Sequence, residues 1–128
     1  MKATRIWANF GVKDLDRTTE FYTQLGFKPN GASDQLTSFL FGDDDFVIHF
    51  FLKEILETNV KVILTDPETA NEIVFTLSAD SQEDVHTWAE EVTRAGGLVV
   101  SQPEAFGPGY YGCVFADPDG HKFNVFHM

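Results

Sequence analysis

The sequence predicts an α+β fold built from two βαβββ modules whose sheets share a cleft. Three observations support this: a strand, a capped helix and a glycine stop occur twice, each helix is followed by strand-like runs, and Asp- and Gly-rich turns join the last two runs of each copy. The 128 residues therefore form one domain, with module 1 at about residues 3–52, a linker at about 53–70 and module 2 at about 71–128.

Module 1 begins with a strand, because apolar residues alternate from Arg5 to Val12. Asp14 or Asp16 then caps a helix that Gly26 ends. The apolar stripe of this helix is formed by Leu15, Phe21, Tyr22 and Leu25. Strand-like runs near residues 27–30, 35–41 and 46–52 complete the module, with the turn 42–45 between the last two.

Module 2 repeats this order. Apolar residues alternate from Glu72 to Ser78, Asp80 or Ser81 caps the second helix, and Gly96-Gly97 ends it. Strand-like runs near residues 98–101, 110–116 and 121–127 follow, with the turn 117–120 between the last two. Within the linker, Val60 to Leu64 is apolar and either forms an extra edge strand or packs over a cavity; the sequence leaves both open.

Composition and charge narrow the classes of partner. The formal net charge of -11 disfavours binding to nucleic acid or to an anionic membrane surface, and no stretch approaches the ~20 apolar residues of a membrane span. The single cysteine, Cys113, cannot form an internal disulfide, and it is expected to be a small core residue. Since no signal-peptide pattern follows Met1, we expect a cytoplasmic protein.

Two motifs near opposite ends of the chain carry a family resemblance. One motif is the segment 12–17 with Phe21-Tyr22 and 25–27, and the other is the segment 115–121 with its Asp-Pro-Asp-Gly-His turn. Together they resemble the vicinal oxygen chelate superfamily, of the glyoxalase/bleomycin resistance protein/dioxygenase type. Within it the chain looks most similar to bacterial predicted lactoylglutathione lyases. The resemblance covers nearly the whole chain and implies the glyoxalase/bleomycin resistance/dihydroxybiphenyl dioxygenase fold, in which the modules form an open barrel-like cleft.

The resemblance also implies four metal-ligand positions, which fall on Trp7, His49, Glu72 and Asn124. Only His49 and Glu72 are good ligands, so we expect a degenerate site that does not hold Zn²⁺, Ni²⁺ or Fe²⁺ tightly. Glu72 is the candidate catalytic residue, because glyoxalase-type isomerisation needs a carboxylate to move a proton. The alternatives are a core histidine at 49 and a solvated carboxylate at 72.

Further side chains are candidates for binding the substrate in the cleft. The alternation of the strands directs part of this set into the cleft. The tyrosines follow a Gly-Pro-Gly loop that either lets them close over a ligand or, more plainly, is the Gly-rich entry to a hairpin. The candidates are Trp7, Asn9, Phe51, Thr76, Tyr110, Tyr111 and Asn124.

Two functions remain open from the sequence. One is a glyoxalase I-like lyase or isomerase that acts on a small molecule, and the other is non-catalytic sequestration of a cationic aromatic ligand, similar to bleomycin-resistance proteins. A homodimer is expected in either case, because apolar residues on an open sheet, such as Phe50, Leu52 and Phe126, need a cover.

Overall fold

The computed structural model describes every residue from Met1 to Met128, and it confirms the predicted α+β class with two four-stranded sheets. The chain divides into two compact units, so that module 1 comprises Met1–Leu64 and module 2 comprises Thr65–Met128. No helix of the chain has the length and apolar character needed to cross a membrane.

Module 1 contains four strands and two helices. They are β1 (Ala8–Val12), α1 (Leu15–Gln24), β2 (Lys28–Ala32), β3 (Leu36–Phe41), β4 (Phe46–Leu52) and α2 (Lys53–Val60). The sheet order is β1-β4-β3-β2, with β1 parallel to β4 and the other neighbours antiparallel. The helix cap is Asp14, whose side chain accepts a hydrogen bond from the backbone N–H of Arg17 at 3.0 Å.

Aromatic side chains form the core between α1 and the sheet. The Tyr22 ring stacks on Phe50 at a centroid distance of 4.5 Å and lies 5.7 Å from Phe39. Phe50 is 0% exposed, so the expectation that it forms part of an open apolar surface was wrong. The reason is that α1 covers the sheet face on which Phe50 lies. Leu52 and Phe126 are partly exposed.

The region predicted as a linker contains a helix, α2, that the sequence analysis missed. The helix begins directly at the end of β4, and its N-cap residue Leu52 makes no side-chain capping bond, so the usual start signal is absent. Val60 to Leu64 forms no strand, because Lys61 ends α2 in the left-handed conformation. The Leu64 backbone N–H donates to a Glu57 carboxylate oxygen at 2.8 Å, which returns the chain to α2.

Module 2 repeats the order of strand, helix and three strands. Its elements are β5 (Phe75–Ser78), α3 (Gln82–Ala95), β6 (Leu98–Ala105), β7 (Tyr111–Ala116) and β8 (Lys122–His127). The sheet order is β5-β8-β7-β6. Ser81 caps α3 by accepting from the Asp84 N–H at 3.0 Å, while the Asp84 carboxylate accepts from the Asp80 N–H at the same distance.

The turn between β7 and β8 is built around a buried carboxylate. Oδ1 of Asp117 accepts hydrogen bonds from the backbone N–H groups of Asp119, Gly120 and His121 at 2.9 to 3.0 Å. Oδ2 lies 2.9 Å from Nδ1 of His121. Four hydrogen bonds to one carboxylate explain why the Asp-Pro-Asp-Gly-His motif occurs here: it closes the turn from inside. Lys122 then donates to the carbonyl of Pro67 at 2.9 Å, so the loop that contains Pro67 lies against the turn between β7 and β8.

Candidate functional site

A polar row crosses the face of the module 1 sheet that is opposite to the aromatic core. The strand registers pair Asn9 of β1 with His49 of β4, and His49 with Ser38 of β3. Because Phe10 and Phe50 point toward α1, their chain neighbours Asn9 and His49 lie on the other face. Asn30 of β2 extends the row through a hydrogen bond to Ser38. All four strands therefore contribute one polar side chain.

Hydrogen bonds along this row set the state of the imidazole. Asn30 Nδ2 donates to Ser38 Oγ at 3.1 Å, and Ser38 Oγ lies 2.8 Å from His49 Nδ1. Ser38 is 1% exposed, so its single hydroxyl hydrogen must find a partner within the protein. With Asn30 Nδ2 assigned as the donor to Ser38 Oγ, that partner is His49 Nδ1, and the tautomer that agrees with this assignment carries its ring hydrogen on Nε2. In this tautomer Nε2–H of His49 is a hydrogen-bond donor.

A cavity of about 670 Å³ adjoins His49, which is within the usual size range of small-molecule sites. The Trp7 ring is exposed and lies 6.4 Å from the His49 ring at 65°, and the Phe51 ring lies 6.0 Å away at 90°. An aromatic surface therefore stands beside a polar one. The cavity is lined by Arg5, Ile6, Trp7, Asn30, Asp44, Asp45, Phe46, Val47 and His49.

The side chains around His49 do not fit a divalent metal. No three His, Cys, Asp or Glu residues of the chain are grouped so that they could hold one ion. The immediate neighbours of His49 are an amide, a hydroxyl and an indole, none of which is a strong ligand for a divalent metal. A tight site needs three or four strong donors, and this row supplies one.

Glu72 lies in a bend before β5, where its side chain is exposed. The parallel register pairs Thr76, and not Glu72, with Asn124, and the Asn124 amide donates to the Thr76 hydroxyl at 3.4 Å. The two residues implied as metal-ligand positions in module 2 are therefore not strand neighbours. Thr76 and Asn124, two of the predicted substrate-binding residues, do form a polar pair.

The two candidate tyrosines lie on different sides of the module 2 sheet. Tyr110 lies 5.5 Å from the Phe126 ring, whereas the Tyr111 hydroxyl hydrogen bonds to His86 Nε2 of α3 at 2.7 Å. Tyr111 therefore packs on the helix side. Only Tyr110 is placed where it can meet a ligand on the open face.

Ser38 and Asn30 are site residues that the sequence analysis did not identify. The signal for Ser38 was present, since the turn at Gly42–Asp45 pairs Phe41 with Phe46 and thereby places Ser38 opposite His49. No comparable signal exists for Asn30, because the pairing of β2 with β3 shifts register between Pro29 and Ala32.

Cys113 is not a candidate nucleophile. It is buried in β7, and desolvation raises the pKa of its thiol from 9.0 to about 11. The thiol therefore stays protonated at neutral pH, and the reactive thiolate form is suppressed. This agrees with the predicted role as a small core residue.

Comparisons with known proteins identify the kind of protein that shares this architecture. The family model for the Glyoxalase/Bleomycin resistance protein/Dioxygenase superfamily matches residues 6–125. No curated protein sequence matches the chain. The matched range spans both modules.

Solved structures of similar fold cover nearly the whole chain. A hypothetical protein, SA1046 from S. aureus, is 28% identical with a TM-score of 0.87, over 100% of this chain and 96% of that one. A glyoxalase-related enzyme from Fulvimarina pelagi is 21% identical with a TM-score of 0.84, over 97% and 88%. A bleomycin-binding protein, solved with bleomycin, is 19% identical with a TM-score of 0.63, over 98% and 99%.

Proposed function

We propose that this chain, which belongs to the glyoxalase/bleomycin resistance protein/dioxygenase superfamily, binds a small molecule without the metal centre that the family resemblance implies. The observation that carries the proposal is the hydrogen-bonded row Asn30–Ser38–His49, in which Ser38 holds His49 Nδ1 and His49 lines a cavity of about 670 Å³. A donor such as Nε2–H of His49 orients a ligand, and in this tautomer the protonated Nε2 has no lone pair to offer a cation.

The surroundings of His49 define the class of ligand. The exposed ring of Trp7 offers a stacking surface, and Nε2–H of His49 offers a donor for a carbonyl or similar acceptor. The net charge of -11 favours a neutral or cationic molecule over an anionic one. We therefore favour sequestration of a planar, cationic aromatic ligand that carries acceptor groups. A protein of similar fold was solved with bleomycin, which makes bleomycin a suitable probe.

A lactoylglutathione-lyase-like activity is the second candidate. It is favoured by Glu72, whose exposed carboxylate makes no hydrogen bond or ion pair that would hold it in another role. In that reaction the carboxylate of Glu72 would move a proton of a hemithioacetal substrate. The donor set described above counts against this candidate.

A fluorescence titration with bleomycin tests the first candidate. We expect bleomycin to quench Trp7, so that the quenching is lost in Trp7→Phe and kept in Trp88→Phe, whose ring stacks on Phe115 in module 2. His49→Ala is expected to weaken binding by roughly tenfold, the value of one good hydrogen bond to a polar ligand. Ser38→Ala should weaken it less, because it frees the imidazole to rotate.

The same protein is then dialysed, analysed for metals and assayed with the hemithioacetal of glutathione and methylglyoxal, with Ni²⁺ or Zn²⁺ added. Turnover that is abolished by both His49→Ala and Glu72→Gln, with stoichiometric metal and no quenching by bleomycin, would reject sequestration and establish the lyase.

A homodimer is the expected assembly. Large apolar side chains, among them Ile6, Ile63 at 93% exposure and Leu98, lie at the surface of the isolated chain and would be covered by a second copy. Light scattering at micromolar concentration checks this. A mass twice the chain mass of 14.4 kDa agrees with the prediction, whereas a mass near 14.4 kDa means a monomer.

A further inference from the structure

We propose a second ligand site, in module 2, at which the aromatic side chains of Phe106, Tyr110 and Phe126 bind a quaternary ammonium group next to the carboxylate of Glu104. The residues of this aromatic cluster do not line the cavity beside His49.

The three rings of the aromatic cluster converge on Phe126. The Phe106 ring lies 5.4 Å from the Phe126 ring and the Tyr110 ring lies 5.5 Å from it, at interplanar angles of 44° and 32°. Phe106 remains 45% exposed and Tyr110 44% exposed, so each contributes ring surface to solvent after the mutual packing. Neighbouring aromatic rings that stay exposed form a contiguous apolar patch, and such patches are typical of ligand or partner sites.

The hairpin between β6 and β7 holds the rings in place. Its loop is closed by a hydrogen bond from Phe106 N–H to the Tyr110 carbonyl, and within it Tyr110 N–H donates to the Gly107 carbonyl, both at 3.2 Å. Pro108 and the left-handed Gly109, with φ of 77°, form the corner of this turn. The rings are therefore positioned by backbone hydrogen bonds.

Two glycines make room for the rings. A Cβ atom at Gly112 would lie 3.0 Å from the Phe106 ring, and a Cβ atom at Gly107 would lie 3.3 Å from the Tyr110 ring. The absence of these side chains lets each ring lie directly against the main chain. The glycines of the Gly-Pro-Gly-Tyr-Tyr-Gly segment thus form the turn and also leave space for the rings of the aromatic cluster.

The charges around the aromatic cluster favour a cationic ligand. Glu104 pairs in register with Gly112, against which Phe106 packs, so the carboxylate lies on the same sheet face as Phe126. Glu104 makes no hydrogen bond or ion pair within the chain. Residues 65–128 contain eleven Asp or Glu but only two Lys or Arg.

Both of these cations are engaged elsewhere, Arg94 with Glu91 and Lys122 with the backbone carbonyls of Pro67 and Gly120. No cationic side chain of module 2 therefore occupies the ring faces, and the field around them is negative. The electron-rich faces of aromatic rings attract a cation, and a carboxylate beside them adds to the attraction. A cation on these rings therefore comes from outside module 2.

The chemistry of the cluster favours a quaternary ammonium over other cations. A metal ion needs several oxygen ligands, and Glu104 is the only carboxylate that the register places beside the rings. A primary ammonium has three N–H donors, and the two phenylalanines add no acceptor to the Glu104 carboxylate and the Tyr110 hydroxyl. A quaternary ammonium group is weakly hydrated, donates no hydrogen bond and meets ring faces through its methyl groups.

The test is an NMR titration of the full chain with choline and, in parallel, with 3,3-dimethylbutan-1-ol, its uncharged isostere. Choline is expected to shift the resonances of Phe106, Tyr110 and Phe126, with little effect of the isostere. Glu104→Gln and Phe106→Ala should each weaken choline binding by at least about threefold. Glu83→Gln removes an exposed carboxylate from α3 and should leave the affinity unchanged.

Each contrary result overturns the proposal in a different way. Equal binding of the isostere would mean that the surface is only apolar, and equal weakening by Glu83→Gln and Glu104→Gln would mean that only net charge matters. Loss of binding in Trp7→Phe would place choline at the site around His49. Absence of any shift up to the highest soluble concentration would mean that no such site exists.

Discussion

Gly120→Ala is expected to destabilise module 2 by about 3 kcal/mol, because the turn between β7 and β8 has no space for a side chain and requires a glycine conformation. Gly120 has a φ of +107°, and a Cβ atom there would lie 2.7 Å from the Glu68 backbone nitrogen and 2.8 Å from the Pro67 carbonyl carbon. Both obstacles are backbone atoms, so neither can rotate away. The loop that contains Pro67 would have to leave the turn.

Gly31→Ala is the matched control. Gly31 has a similar φ of +97° but nothing within 4 Å of its Cβ position, so alanine there should cost only the backbone strain, about 1 kcal/mol. The free energy of unfolding of both variants is measured in urea through Trp88 fluorescence, in a Trp7→Phe background. For Gly31→Ala the unfolding is also followed by circular dichroism. Equal costs at the two positions would contradict the close approach between the turn and the loop.

Phe50→Ala is expected to lower the free energy of unfolding by about 4 kcal/mol, the usual cost of removing a fully buried aromatic ring. Phe50 stacks on Tyr22 at 4.5 Å and also approaches Phe10 and Phe39, so its loss opens a cavity at the centre of module 1. The surrounding rings are held by α1 and β3 and cannot collapse fully into that space.

Phe51→Ala is the control for this experiment, since Phe51 follows Phe50 in β4 and points to the opposite, partly exposed face. We expect it to cost about 1 kcal/mol. Urea unfolding followed by circular dichroism measures both variants. A larger effect at Phe51 than at Phe50 would mean that the face covered by α1 has been assigned the wrong way.

The duplicated modules could be predicted from the sequence because they depend on local signals. Asp14 and Ser81 act as helix caps through bonds to residues three positions away, and the alternating apolar residues define a buried face for each strand. The turn at Gly42–Asp45 similarly places Phe41 opposite Phe46. Such features involve neighbours in the chain, so the order of residues contains them.

The missed elements depend on packing between distant residues. Helix α2 has no capping signal, and it lies beside β1, where Gly11 leaves space for Leu64 and Lys53. Gly120 is similar, since the sequence shows a turn there but not the loop at Pro67 that excludes a side chain. In both cases a glycine marks a close approach whose partner cannot be found from local pattern.

In the candidate site, too, some features depend on local sequence and others on packing between distant residues. Alternation within β1 and β4 was sufficient to predict that Asn9, His49 and Phe51 share a face, because side chains two residues apart in a strand point to the same side. Only the pairing of β4 with β3, and the approach of Asn30 from β2, decided that His49 Nδ1 lies against Ser38. Strand register and side-chain hydrogen bonds are properties of the assembled sheet, so the hydrogen-bond partner of His49 was decided by tertiary structure.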